Sequence, residues 1–129
     1  MELEKIDVEG ISDTYALSVV QKEFKKAVDE PWKENPPLQR YQQKLMQDLA
    51  VLCVEKECAI DFPQYEKISG EEKLYSIRHP ESKKNVRVIY TILDGSIVIL
   101  LVAFLEKNDG DYKRAINKAK ERLKLIESD

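Results

Sequence analysis

The sequence holds two cysteines and one histidine in 129 residues, and that scarcity removes whole classes of protein. A disulfide framework needs more thiols and an oxidising compartment. A structural zinc site needs about four nitrogen or sulfur ligands. Cys53 and Cys58, five apart in a helical pattern, are therefore expected to be reduced thiols near the core, with no metal and no cofactor. Long apolar runs are missing too. The most apolar stretch, Ser96–Leu105, reaches about half of the roughly 20 residues that span a bilayer. The first residues, MELEKIDVEG, are acidic and contain no hydrophobic signal core, so a cytoplasmic protein without a membrane partner is expected. No internal repeat or low-complexity tract interrupts the chain.

What remains is an ordinary globular composition, 43% hydrophobic and 35% charged. The length fits one domain over residues 1–129, enough to bury about two-thirds of its unfolded surface. The net charge of −3 is unevenly spread. Residues 1–69 carry 9 basic against 14 acidic side chains, and residues 70–129 carry 12 against 10. The second half is the one a polyanion would approach. Such a balance argues against tight, non-specific nucleic-acid binding and leaves room for a small local site.

Along the chain, residues 1–12 form a polar segment in which Leu3, Ile6 and Val8 suit a short edge strand. From Thr14 the apolar residues Leu17, Val20, Phe24, Ala27 and Val28 recur at helical steps, with Ser12 or Asp13 as cap. Pro31 ends that helix. Asn35 caps a second one with Pro36 and Pro37 in its first turn, and Leu38, Tyr41, Leu45, Leu49 and Leu52 form its stripe. Residues 14–57 thus read as an antiparallel helical hairpin, and Trp32 as an anchor at the end of its first helix. DFPQYEKISGEE, Asp61–Glu72, reads as a loop. A β-meander is expected over 73–104, with strands at about Lys73–His79, Asn85–Leu93 and Ser96–Phe104. Asp94-Gly95 signals a type I′ hairpin turn, which would set Arg87 opposite Val102. A C-terminal helix over 111–127 follows, marked by Tyr112, Ile116, Ala119, Leu123 and Ile126. The expected fold is α+β: a small twisted antiparallel sheet of three to four strands, the helical hairpin on one face, and a C-terminal helix.

Two arginines stand out. The strand at Ser96–Phe104 is apolar on both faces and must be central, yet its neighbour carries Arg87, and Arg78 closes the strand before. A guanidinium in the centre of a sheet needs a partner. Glu106 or Asp109 would serve as a structural one; a bound phosphate would serve as a functional one.

KLYSIR, then NVRVIYTILDGSIVILLVAFLEK, then the basic helix KRAINKAKERLK resemble, in that order, the RelE/ParE toxin superfamily, closest to its HigB-like (phage Gp49-like) branch. The resemblance covers about Leu74 to Lys124. It implies a type II toxin restrained by a cognate antitoxin, usually one that cleaves messenger RNA on the ribosome. By position it makes Arg87, Arg78, Lys107 and Tyr112 the catalytic candidates. Lys73, Tyr75, His79, Lys113 and Arg114 join them as RNA-binding candidates. The sequence departs from the family pattern at Glu106, Ser76 and Val86.

The chemistry asks for little. A 2′-hydroxyl can attack the neighbouring phosphate, so the protein must align the groups, stabilise charge and move two protons. Arginine forks grip phosphate and stay charged, which makes Arg78 and Arg87 clamps and not bases. Lys107, Lys73, His79, Tyr75 and Tyr112 are the nearby proton carriers, and a lysine base would need its pKa pulled well below about 10.4. Two other functions fit the same resemblance: a non-enzymatic poison of DNA gyrase of the ParE kind, and a non-toxic binding relative. The expected antitoxin has a helix-turn-helix part, and any contact of this chain with DNA would run through it.

Overall fold

The structure is a computed structural model that describes residues 2–29, 37–78 and 85–128. Strands β1 (Leu3–Lys5) and β2 (Thr14–Leu17) lead into helix α1 (Ser18–Asp29). Helix α2 (Pro37–Glu55) runs into a 3₁₀ turn, Lys56–Asp61. Strands β3 (Tyr65–Lys67), β4 (Tyr75–Ile77), β5 (Val86–Leu93) and β6 (Ile97–Leu105) follow, and helix α3 (Asp109–Glu127) ends the chain. The six strands make one sheet in the order β1-β2-β6-β5-β4-β3. All pairs are antiparallel except β2 with β6, which is parallel.

This corrects the expected fold. The sheet is mixed and has six strands among the described residues, and α1 comes after two of them, so no helical hairpin opens the chain. The reason lies in β6, whose residues Val98 to Ala103 are all buried. A strand covered on both faces needs a ladder partner on both edges. β5 supplies one, and Thr14–Ala16 supplies the other, set against Val98–Leu100. Thr14 and Leu17 point into the core, as do Val20 and Phe24 one and two turns later. The buried residues of the strand, three apart, therefore run into the helical period without a visible break. Tyr65–Lys67 is likewise a strand where a loop is expected. Pro31, Trp32, Asn35 and Pro36 lie outside the described residues.

Helix α2 buries Tyr41, Leu45, Leu49 and Leu52, each leucine contributing about 1.5–3 kcal/mol. It covers the sheet face that carries Tyr65, Tyr75, Ile77, Val88 and Tyr90; the Tyr65 hydroxyl donates to Asp48 O of α2 at 2.6 Å. Helix α3 covers the opposite face with Ala115, Ala119 and Leu123, and its Tyr112 ring packs against Phe104 with centroids 5.9 Å apart. A capping box starts α3. The Asn108 side chain accepts from Asp111 N at 3.1 Å, and Asp111 Oδ2 accepts from Asn108 N at 3.2 Å.

The register of β5 on β6 decides where Arg87 stands. Asp94 and Gly95 both have positive φ, 53° and 70°, as a type I′ turn demands, and Ser96 N donates to Leu93 O. Pairing nevertheless begins one residue later than expected, Leu93 with Ile97, and slips again at Ile89/Tyr90, where Leu101 is left over as a bulge. Arg87 therefore faces Phe104 and not Val102, which brings it to the end of β6, beside Glu106. Arg122 holds the bulge. Its Nη1 donates to Leu101 O at 2.7 Å, and its fork grips both oxygens of Glu23 on α1 at 2.9 Å each. Past the end of β2, Glu23 Oε1 also accepts from Ala103 N at 3.3 Å on the same edge of β6.

Candidate functional site

Glu66, Ser76 and Ile89 are successive cross-strand partners on β3, β4 and β5, so their side chains share one face with Arg87. That face lies under the start of α3, and four polar groups meet there. Glu66 Oε1 accepts from the Tyr112 hydroxyl at 2.6 Å, from Arg87 Nη1 at 3.0 Å and from the Ser76 hydroxyl at 3.3 Å. Ser76 Oγ also accepts from Arg87 Nη1 at 3.4 Å and lies 3.2 Å from the Tyr112 hydroxyl. The Arg87 guanidinium carbon sits 4.7 Å over the Tyr112 ring, a cation–π contact.

A second carboxylate closes the other side. Glu106 Oε1 lies 3.2 Å from Arg87 Nε. The contact is off the N–H axis, so it is charge attraction and leaves Nε without a hydrogen bond. Asn85 Nδ2 donates to the same Glu106 oxygen at 2.5 Å, and Glu106 N donates to Asn85 O, which fixes Glu106 at the strand end. Arg87 is only 8% exposed. Its need for a partner is met by both carboxylates at once.

Electrostatics set the protonation states of Glu66 and Tyr112. Burial opposes ionisation of Glu66, but the Tyr112 hydrogen bond, then the Arg87 and Arg78 charges and the Ser76 hydroxyl, outweigh it and hold the carboxyl below its ordinary value. Burial first, and the Glu66 contact second, push the Tyr112 phenol up to about 12. At neutral pH the site thus holds an ionised Glu66 that accepts hydrogen bonds and a neutral Tyr112 that donates them. Two guanidiniums, Arg78 and Arg87, balance two carboxylates, Glu66 and Glu106.

The other sequence candidates are scattered around this cluster. Arg78 borders it: its N donates to Gln64 O at 2.8 Å and its Nε to Pro63 O at 3.1 Å. Lys107 follows Glu106 in the turn into α3, and its N donates to Asp111 Oδ2 at 2.9 Å. Lys113 and Arg114 are exposed on the first turns of α3, with Arg114 paired to Asp111. Lys73 pairs with Glu127 at 2.7 Å, at the far end of α3, about 22 Å along the helix from Tyr112. That hydrogen bond raises its pKa, the reverse of what a lysine base needs. Tyr75 lies on the other face, stacked on Tyr90 with centroids 5.2 Å apart. His79 lies outside the described residues. Glu66 was not among the candidates because its segment reads as a loop, and a strand of three residues, Tyr65–Lys67, carries no periodic signal that could have marked it. Among the described residues no group of three or more His, Cys, Asp and Glu could hold a metal ion, and no helix is long and apolar enough to cross a membrane.

The family model for phage-derived Gp49-like proteins matches residues 37–124, well over half of the chain. The chain belongs to the Gp49-like family. This is a RelE/HigB-type toxin family, so membership brings a toxin–antitoxin context. The match takes in α2, strands β3 to β6 and most of α3, hence every residue of the cluster around Arg87. In this Gp49-like protein β1, β2 and α1 lie outside the matched residues. No curated protein and no solved structure matches the chain.

Proposed function

We propose that this Gp49-like protein is the toxin of a toxin–antitoxin pair and that it cuts messenger RNA on the ribosome. The observation that carries the reading is the meeting of Glu66, Arg87 and Tyr112 on one sheet face, with 2.6 Å and 3.0 Å contacts at a single carboxylate oxygen. A fixed carboxylate beside a fixed guanidinium is the pair that transfer of a phosphate ester to an internal hydroxyl requires.

In this reading Glu66 takes the proton of the RNA 2′-hydroxyl. The 2′-oxygen bonds to the adjacent phosphorus and the bond from phosphorus to the 5′-oxygen breaks. Lys107 returns a proton to the departing 5′-oxygen. The products are a 2′,3′-cyclic phosphate and a 5′-hydroxyl end. Arg87 and Arg78 hold the non-bridging oxygens, and Tyr112 keeps Glu66 aimed while its ring supports the guanidinium. A carboxyl held below its ordinary pKa is a weak base. Substrate corrects this, because a phosphate that draws Arg87 away removes one lowering contact and brings a negative charge of its own.

The test is purified protein added to messenger RNA with and without ribosomes, with fragment ends mapped. Cyclic-phosphate ends should appear on ribosomes, and Glu66→Gln should reduce their rate on the order of 10²-fold. An antitoxin carrying a helix-turn-helix part is the expected partner, and contact with DNA runs through it.

One observation favours a second reading, the non-enzymatic gyrase poison. Glu66 and Glu106 already neutralise Arg87, so the guanidinium serves the fold without any phosphate. Under that reading RNA stays intact and Glu66→Gln leaves toxicity unchanged.

A further inference from the structure

The residues on either side of Glu66 are tied to α2 at one place. The Tyr65 hydroxyl donates to Asp48 O at 2.6 Å, and Gln64 Nε2 donates to Asp48 Oδ1 at 3.4 Å. Tyr65 is 3% exposed and Asp48 2%. The same short segment receives Arg78, whose N and Nε donate to Gln64 O and Pro63 O. Residues 62–67 thus form a strap that carries Glu66 and docks Arg78, pinned to the helical layer through Asp48. β3 itself contributes three residues of pairing at the edge of the sheet, too short a ladder to fix a carboxylate closely by itself.

We infer that Tyr65 and Asp48 are positioning residues, which set the placement of the Glu66 carboxylate and the Arg78 guanidinium from the opposite side of the sheet. The inference rests on the role proposed for Glu66, and the alternation of a strand explains it. Tyr65 points to α2 while Glu66, next in the chain, points to α3. An anchor on one face holds a reactive group on the other. Burial, opposed by the charge and hydrogen bond of Lys44 and by Gln64, raises the Asp48 carboxyl above its ordinary value, as a tightly enclosed anchor should show. The groups that face Glu66 are Tyr112 from α3, Arg87 from β5, Ser76 from β4 and Arg78 just beyond β4.

Tyr65→Phe keeps the buried ring and removes only the hydroxyl. The first measurement needs no activity: the ¹³C shift of the Glu66 carboxyl is followed against pH in the native protein and in Tyr65→Phe. The midpoint should move upward toward an ordinary glutamate as the Tyr112 and Arg87 contacts loosen. The control is Val20→Ala, a core truncation in α1 away from the strap, which should leave the midpoint in place. Cleavage by Tyr65→Phe should fall on the order of tenfold in kcat with KM little changed, the pattern of a misplaced group. A Glu66 midpoint unmoved by Tyr65→Phe, or moved equally by Val20→Ala, overturns the inference. If the midpoint moves but Glu66→Gln cleaves like the native chain, the anchor stands and the role given to Glu66 falls.

Discussion

Arg87 and Tyr112, 25 positions apart in sequence, meet with the guanidinium carbon 4.7 Å above the phenol ring, and both donate to the same oxygen of Glu66. The first strand of the site, β3, is thereby joined to its last helix, α3. Arg87 lies between two carboxylates that its removal would leave facing each other at the end of the sheet.

Arg87→Ala should therefore cost stability as well as any activity. Removing one partner of a buried pair costs about 3–5 kcal/mol. Glu66 is a third exposed, which brings the expectation down to about 2–3 kcal/mol. Urea unfolding measures it, and adding Glu66→Gln to Arg87→Ala should recover part of the loss. An Arg87→Ala variant as stable as the parent would show that the carboxylates do not depend on the guanidinium.

Acid should weaken the fold through Glu66. Its carboxyl is held below the ordinary value when folded, so the unfolded chain binds the proton first. The contribution is then fully present above the unfolded value, about 4.3, and is lost as pH falls through the folded one. Thermal unfolding from pH 6 to pH 3 should show a decline that is shallower in Glu66→Gln than in the native chain.

At the alkaline end the sign reverses in origin. Tyr112 is pushed up to about 12 and burial raises Tyr65, Tyr75 and Tyr90 as well. The unfolded chain, with phenols near 10, loses protons first, so stability should fall from about pH 10 toward pH 12. Phenolate absorbance should then rise together with unfolding for these four tyrosines. A gradual rise near pH 10 in the folded protein with the amplitude of more than two of the six tyrosines would contradict their burial.

Arg122 carries another buried ionic group, about 15 Å along α3 from Tyr112. Arg122→Ala would remove the hydrogen bonds to Leu101 O and to both Glu23 oxygens, leaving Glu23 Oε1 with Ala103 N, at a cost of about 3 kcal/mol or more. The loss should appear in chemical denaturation, and Arg122→Lys, which cannot span both Glu23 oxygens as a fork does, should recover only a small part of it.

Much of this architecture is legible in the residues. The stripe Tyr41, Leu45, Leu49 and Leu52, the positive-φ turn at Asp94-Gly95 and the apolar run of β6 each follow from local pattern, and so does the need of Arg87 for a partner. What is not legible depends on non-local pairing. Thr14–Leu17 is a strand because β6 needs a neighbour on its second edge, and its buried residues, three apart, merge with the helical period of Val20 and Phe24. The bulge at Leu101 depends on Arg122, 21 positions later, and it carries Arg87 to Phe104 and Glu106. Glu66 belongs to a three-residue strand whose partner β4 is just as short, too little for periodicity to mark, although the site centres on it.

The most direct test of the central claim is induction of this chain alone in bacteria, following labelled amino acid and labelled thymidine incorporation over the first minutes, with Glu66→Gln alongside. Amino-acid incorporation should fall first, and Glu66→Gln should relieve the fall. Thymidine incorporation falling first, equally in both, would contradict it.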